Sequence, residues 1–436
     1  MFGQGTADSA ERTASEDPVI RFTTAGESHG KALVALLEGI PAGLGLLAED
    51  VNHQLRRRMG GYGRGARMKI EADAVEFLSG VRAGETLGSP IAMLIPNRDW
   101  ENWADVMGAE PDGGSSESPP GSWDIGNRTA AGGRRRQVTR PRPGHADLVG
   151  VLKYDRSDAR DILERASARE TAARVACGAV CRRLLREFGV EIGSHVVELG
   201  PVHATLPDPL PTPLNEAADG SPVRCLDPQA GEAMMRAIDA AKNAGDTLGG
   251  IVEVVARGVV LGLGSHVSWD RKLDGRIAQA VMSVPAVKGV EIGLGFEAAR
   301  RRGSEVHDEI LRASGETGAV SGSLTGGFRR RTNRAGGLEG GMTTGEPLVV
   351  HVAMKPISTL MQPLATVDLT TGERAQAQSE RSDVSAVPAM GVIAEAMLGM
   401  VLAQAMVEKF GGDSLGEMRA NFDAYVARMN RRWDRT

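Results

Sequence analysis

Cysteine, aromatic residues and excess positive charge are all scarce in this chain of 436 residues. The three cysteines, Cys177, Cys181 and Cys225, are too few and too odd in number for a disulfide framework. Cys177 and Cys181 lie four apart in an apolar helical pattern and read as two buried thiols rather than a metal pair; no metal is expected. Aromatic residues make up only 4%, so base-stacking platforms are few. Lys and Arg number 51 against 56 Asp and Glu, a formal charge of −5. That balance excludes a general nucleic-acid binder and leaves anion binding to local clusters. Residues 1–18 have no apolar stretch and no basic start, so they read as a short disordered tail, not a secretory leader. The longest apolar stretch, Met390 to Val407, is interrupted by Glu395 and Gln404 and reads as a core helix, not a membrane span. No repeat of fixed period is visible. A cytoplasmic protein with no membrane partner is expected.

Glycine, by contrast, is abundant, at 56 residues, which implies many turns with positive φ or close backbone approaches. Residues 108–136 (Gly, Ser, Pro) and 204–222 (Pro) read as loops. Strands are expected over Ile20–Thr24, Ile91–Ile95, Ile251–Val255 and Leu348–Met354. Helices are expected over Asp50–Arg58, Ala168–Phe188, Gly231–Ala244, Leu273–Met282 and Ala389–Phe410. The elements mix without regular βαβ alternation, so the class is α+β, not a doubly wound sheet.

Several stretches carry chemistry. Gly26-Glu27-Ser28-His29-Gly30 satisfies the G-x-S-x-G pattern of serine hydrolases, but too early in the chain for a nucleophile elbow. It offers a hydroxyl and an imidazole on a flexible turn, which suits proton transfer near an anion. Val51 to Ile70 holds six Arg or Lys and no acid, and Arg128 to His145 holds six more Arg, closing in RPGHAD. Such runs are usually solvated faces; two of them, set among glycines in an acidic chain, suit a small substrate bearing phosphate and carboxylates. Ser167 and Glu170 form an S-x-x-E capping box, flanked by Arg165 and Arg169 at a helix start that favours anions. Gly336 to Gly345, Lys355 to Thr359 and Arg381 to Pro388 could together hold a ring system and its phosphate. Gly293-x-Gly295-x-x-Ala298 leaves no room for the helix of a dinucleotide site.

Read in order, AGESHG, RRRMGGYGRGARMKIE, TRPRPGHAD, ERASARETAARVACGAV, VKGVEIGLGFE, NRAGGLEGGMTTG, AMKPIST and RSDVSAVPA resemble the successive motifs of the chorismate synthase family. The resemblance runs from about Phe22 to about Phe410. It implies a β-α-β sandwich with a helical core between antiparallel sheets, assembled as a homotetramer. It implies one catalytic domain over residues 19–412, with a loop insertion at about 108–136 and a helical extension over 413–436. The implied reaction converts 5-enolpyruvylshikimate 3-phosphate to chorismate and phosphate with reduced FMN. NADPH would enter only through flavin reduction, and a separate flavin reductase would supply the reduced cofactor.

Carried over residue by residue, the resemblance makes His29 the imidazole that protonates reduced flavin. His145 becomes the proton donor near the departing phosphate, and Asp383 the carboxylate that takes a proton through the flavin, supported by Ser28 and Ser167. Flavin contacts fall on Arg165, Ala166, Ser167, Pro285, Ala286, Gly340, Lys355, Pro356, Ile357, Ser358, Thr359 and Arg381, with Gly340, Lys355 and Arg381 expected to converge on its phosphate. Arg58 and Arg64 would grip the phosphate of substrate or NADPH. Two positions depart from the family pattern: Ala166 stands where many members have Ser, and Pro285 where many have Asn. The serine-hydrolase reading of residues 26–30 is the alternative.

Overall fold

Alternating apolar side chains build the first layer. In Ala32–Glu38 (β2) Leu33, Ala35 and Leu37 point inward, and in Ile91–Pro96 (β4) Ile91, Met93 and Ile95 do so, the period of two that a half-buried strand requires. With Arg21–Ala25 (β1) and Glu76–Ser79 (β3) they form an antiparallel sheet in the order β1-β2-β4-β3. A second antiparallel sheet has Glu191–Leu199 (β5), Val202–His203 (β6), Gly250–Arg257 (β7), Val287–Ile292 (β8) and Leu348–Met354 (β9), in the order β8-β9-β7-β5-β6. These elements come from a computed structural model that describes residues 20–65, 72–110, 137–313, 323–379 and 383–431. The tail 1–18, most of the 108–136 loop and Arg381 lie outside the described residues.

The helices that bear on the site are Ala48–Met59 (α1), Asp147–Lys153 (α2), Arg160–Leu163 (α3), Thr171–Arg186 (α4), Pro228–Asn243 (α5), Leu273–Met282 (α6), Val387–Phe410 (α7) and Leu415–Arg431 (α8). Of these, α1, α4, α6 and α7 pack together between the sheets. α4 packs on β2, and α7 packs on β5 and β7. Gly178 of α4 lies so close to Ala396 of α7 that an added Cβ would collide with it. The fold is α+β, a helical layer between two antiparallel sheets. α7 is long and apolar enough to cross a membrane, yet it is almost wholly enclosed by the fold. α8 adds Met418, Phe422 and Val426 to the same core. Cys177 and Cys181 are fully buried on α4, and burial pushes the Cys181 thiol up to about 12.

One acid sits inside this apolar layer. Glu395, buried at the middle of α7, accepts from Arg57 (2.8 and 3.0 Å), Arg182 (2.6 Å), Arg224 (3.1 Å) and the Ser194 hydroxyl (2.6 Å). Burial alone would raise its pKa, but the surrounding guanidiniums hold it well below the ordinary carboxylate range.

The structure revises several expectations. The helix expected from Ala168 opens as a 3-10 turn, Ala168–Glu170, and its α-helical part is Thr171–Arg186. Ser167 caps that turn by accepting from the Arg169 N–H, but Glu170 does not close a capping box: its carboxylate accepts from Thr24 and Arg174 instead. One expectation holds: Gly293 and Gly295 have positive φ and lead into another 3-10 turn, Gly295–Arg300, in place of the helix a dinucleotide site needs.

Candidate active site

The turn between β1 and β2 carries Ser28 and His29. Gly26 sits at φ +100, and a Cβ there would run into the Ala32 carbonyl, so this sharp return needs glycine. The loop is pinned from both sides. Asn97 donates to the Ser28 and Gly30 carbonyls at 3.0 Å each, and the Ser28 N–H donates to the Glu164 carbonyl at 3.0 Å. Both the backbone N–H and Nδ1 of His29 meet the Glu164 carboxylate at 2.9 Å. Arg160 donates to the same carboxylate at 2.8 Å. The His29 ring stacks on Trp103, centroids 3.8 Å apart. The Ser167 hydroxyl donates to Ser28 Oγ at 3.2 Å, which joins the first loop to the Arg165–Ser167 segment.

His145 lies in a self-contained loop. Its Nδ1 is 2.5 Å from Oδ1 of the fully buried Asp147. Arg142 grips the same carboxylate through its backbone N–H (3.0 Å), Nε (2.9 Å) and a terminal nitrogen (3.2 Å). Burial opposes ionisation of Asp147, but hydrogen bonds from His145 and Arg142 outweigh it and hold the carboxyl well below its usual range. An ionised carboxylate only accepts, so the shorter bond to Asp147, against 3.1 Å from Nδ1 to the donor-only Arg142 guanidinium, favours a hydrogen on Nδ1 and leaves Nε2 for the exchangeable proton. Arg142 also donates to Thr359 at 2.9 Å, and Lys355 Nζ donates to the Gly144 carbonyl. The RPGHAD loop is thereby fastened to the Lys355–Thr359 segment. The two histidine sites adjoin through α2 and α3: Gly150 of α2 faces Ile162 of α3, and Val151 and Leu163 share a small separate core.

Asp383 comes in from the start of α7. The Gly65 N–H donates to its Oδ1 at 2.6 Å, and Arg64 Nε lies 3.3 Å from Oδ2. Val384 bonds the Gly63 carbonyl, Leu248 bonds the Val384 carbonyl, and Thr247 bonds the Ile357 carbonyl. Asp383 is thus linked to the Lys355–Thr359 segment.

The arginines read as a ligand clamp behave differently. Among the described members of the first run, Arg56 pairs with Glu49 at the surface, and Arg57 turns inward to Glu395 and Asp219. Arg58 is buried, donating to the Thr171 hydroxyl (2.9 Å) and the Ala168 carbonyl (2.8 Å). Arg169 is buried against Asp73. A basic run in sequence is here largely a set of internal ion pairs. Of the expected flavin contacts, Arg165 is half-exposed and donates to Thr24 and the Gly26 carbonyl. Ala286 has φ +69, and its carbonyl accepts from the Lys355 N–H, which brings the Pro285–Ala286 pair beside Lys355. Gly340, however, lies in the hairpin Leu338–Glu339/Met342–Thr343 near the start of β9, while Lys355 follows its end. β9 itself, seven residues at about 3.3 Å each, spans roughly 20 Å. Sequence reasoning missed Glu164, Arg160 and Trp103; the one local signal was the i, i+4 spacing of Arg160 and Glu164.

Two imidazoles held at Nδ1 by buried carboxylates, and a third carboxylate held by Gly65 and Arg64, are groups of the kind that acid–base catalysis uses. A family model described as chorismate synthase matches residues 20–407. The chain is 57% identical to the chorismate synthase of Acidothermus cellulolyticus over 410 residues, covering 94% of this chain and 98% of that one. It is 55% identical to that of Salinispora tropica over 411 residues, with the same coverage. A crystal structure of chorismate synthase superposes with a TM-score of 0.71 at 44% identity, covering 94% of this chain and 98% of the other. The chain belongs to the chorismate synthase family, whose members are lyases of the shikimate pathway, in aromatic biosynthesis, and require a reduced flavin. Nothing in these matches supports the serine-hydrolase alternative.

Proposed function

We infer that the chain converts 5-enolpyruvylshikimate 3-phosphate to chorismate and phosphate by anti 1,4-elimination, with reduced FMN as the flavin. The elimination breaks a C–O bond to phosphate and a C–H bond and forms one C=C bond, with no net redox change. The observation that carries this reading is the pair of histidines, each held at Nδ1 so that Nε2 is left for proton exchange. His145 is the proton donor for the departing phosphate. His29 is the second donor, with Ser28 and Ser167 alongside. Asp383, oriented by Gly65 and Arg64, receives the proton released from carbon. Arg64 is the phosphate-gripping arginine that remains near this site, and Arg58 supports it from within the protein.

The donor set fits a flavin phosphate. Lys355 and Arg165 are cations at the surface of the site, and Thr359 and Ala286 lie close by, with Ala166 and Pro285 offering backbone only. Gly340 would meet the far end of an extended ligand or a neighbouring subunit. When bound, the reduced flavin supplies an electron-rich ring beside the substrate. NADPH acts only in reducing the flavin, a separate reductase provides the reduced form, and the working assembly is a cytoplasmic homotetramer. The catalytic domain spans residues 19–412, with the C-terminal helix as an extension packed on it.

An anaerobic assay with chemically reduced FMN tests the reading. Asp383→Asn keeps the size of the side chain but removes its basicity, and kcat should fall by ~10²–10⁴-fold while FMN affinity holds. Turnover without reduced flavin, or a near-normal kcat in the stable variant, would overturn it.

A further inference from the structure

Glu164 lies outside every motif role assigned above, yet it is the most heavily engaged carboxylate at His29. It is 2% exposed. Its two oxygens face the His29 backbone N–H, His29 Nδ1 and the Arg160 guanidinium, all within 2.9 Å. Its own carbonyl holds the Ser28 N–H. An Arg–Glu pair four residues apart on a short helix would by itself be ordinary surface electrostatics. Here the pair is buried, and its remaining bonds all go to one loop more than 130 residues away in sequence.

We propose that Glu164 is the positioning residue that sets the working tautomer of His29, and so fixes which ring nitrogen exchanges the proton. This rests on the reading of His29 as a proton donor. The argument is one of donors and acceptors. Burial favours the neutral acid, but the bonds from His29 outweigh it and keep the Glu164 pKa below its ordinary value. An ionised carboxylate offers no hydrogen. Every group facing it must therefore donate, and His29 Nδ1 must carry a proton in both charge states of the ring. The exchangeable proton then resides on Nε2, the nitrogen on the far side of the ring from Glu164. Trp103 completes the constraint. Its indole stacks on the imidazole and is itself held by Asp99, which accepts from Nε1 at 2.9 Å. Turning the ring over would keep the stack but give up the bond to the carboxylate.

Glu164→Gln replaces an acceptor-only group with one that also donates. The amide nitrogen can then donate to Nδ1, which would lose its hydrogen to Nε2. The test uses full-length protein with ¹⁵N-labelled histidine, in which nitrogen chemical shifts distinguish protonated from bare ring positions. The His29 signals are those lost in His29→Ala. Wild type should show a protonated Nδ1 and the Glu164→Gln variant a protonated Nε2 in the neutral ring. Glu164→Asp, which keeps the charge, should restore the wild-type pattern. In turnover with chemically reduced FMN, Glu164→Gln should lower kcat by ~10²-fold with little change in KM. Glu164→Asp should recover part of that loss. In a His29→Ala background Glu164→Gln should add less than about twofold, because residues acting as a unit are not additive. A wild-type tautomer in Glu164→Gln, or Glu164→Asp no better than Glu164→Gln, would overturn the proposal. Full activity in His29→Ala would instead overturn the reading of His29 beneath it.

Discussion

His29 and His145 are held by the same chemistry assembled over different distances. Each gives Nδ1 to a buried carboxylate, and each carboxylate is backed by an arginine. At His145 all three partners come from the six residues Arg142 to Asp147, so the loop carries its own support. At His29 the carboxylate and arginine come from α3, more than 130 residues along the chain. That site exists only once α3 has docked against the β1–β2 turn. Both acids are fully enclosed. The remote arrangement adds an aromatic wall, Trp103. A loop that supports itself should respond to mutation mainly in its own stability, and a site assembled across the fold mainly in its chemistry.

The largest expected effect tests the first half of that contrast. Asp147→Asn leaves Arg142 and His145 facing a neutral amide in a buried site, and breaking such a pair costs about 3–5 kcal/mol. Urea unfolding should show that loss, and it should exceed the loss in Glu164→Gln. Equal losses would erase the distinction between the two sites.

Acid unfolding is the intermediate case. Both carboxylates titrate lower in the folded chain than in the unfolded one, Asp147 more strongly. Their stabilisation is therefore complete above the unfolded value of about 4 and is lost as the pH falls through the folded value. Unfolding free energy measured from pH 7 to pH 3 should decline below about pH 4, with a shallower decline in Asp147→Asn than in Glu164→Gln. The reverse order would show that the remote carboxylate is the more tightly held. The smallest effect concerns the wall: Trp103→Leu should cost about 0.5–1.5 kcal/mol beyond lost area and lower kcat only modestly. A loss of kcat as large as that of His29→Ala would make Trp103 part of the chemistry.

The same contrast explains what could be read from the residues. The Arg142–His145–Asp147 group was visible because it is contiguous, although Arg142 turned out to brace the loop instead of waiting for a ligand. Glu164 was invisible: an acid on a short helix among arginines looks solvated until the β1–β2 turn is placed on it. The inward turn of Arg57 and Arg58 was hidden for a similar reason, since their internal partners Glu395 and Thr171 lie far along the chain. Leu273–Met282 and Leu348–Met354 were read to the residue because clear apolar periods have plain ends. β5 was missed because His195 and Ser194 interrupt its apolar pattern and a register shift between Val196 and Glu198 breaks its alternation. β2, rich in Ala and Leu, carries helix-forming residues that sheet pairing overrides.

Glu395 has a bearing on the active site that its depth conceals. A helix greasy on every side gets little orientation from hydrophobicity alone, and beyond its close contact with Gly178 α7 needs a polar mark to fix its rotation and height. A one-residue slip moves such a helix ~1.5 Å and turns it ~100°, which would carry the carboxylate away from Arg57, Arg182 and Arg224. That single charge therefore indexes α7 like a key in a lock barrel. Because Asp383 lies four residues before the helix begins at Val387, the key also sets where the Asp383 carboxylate arrives.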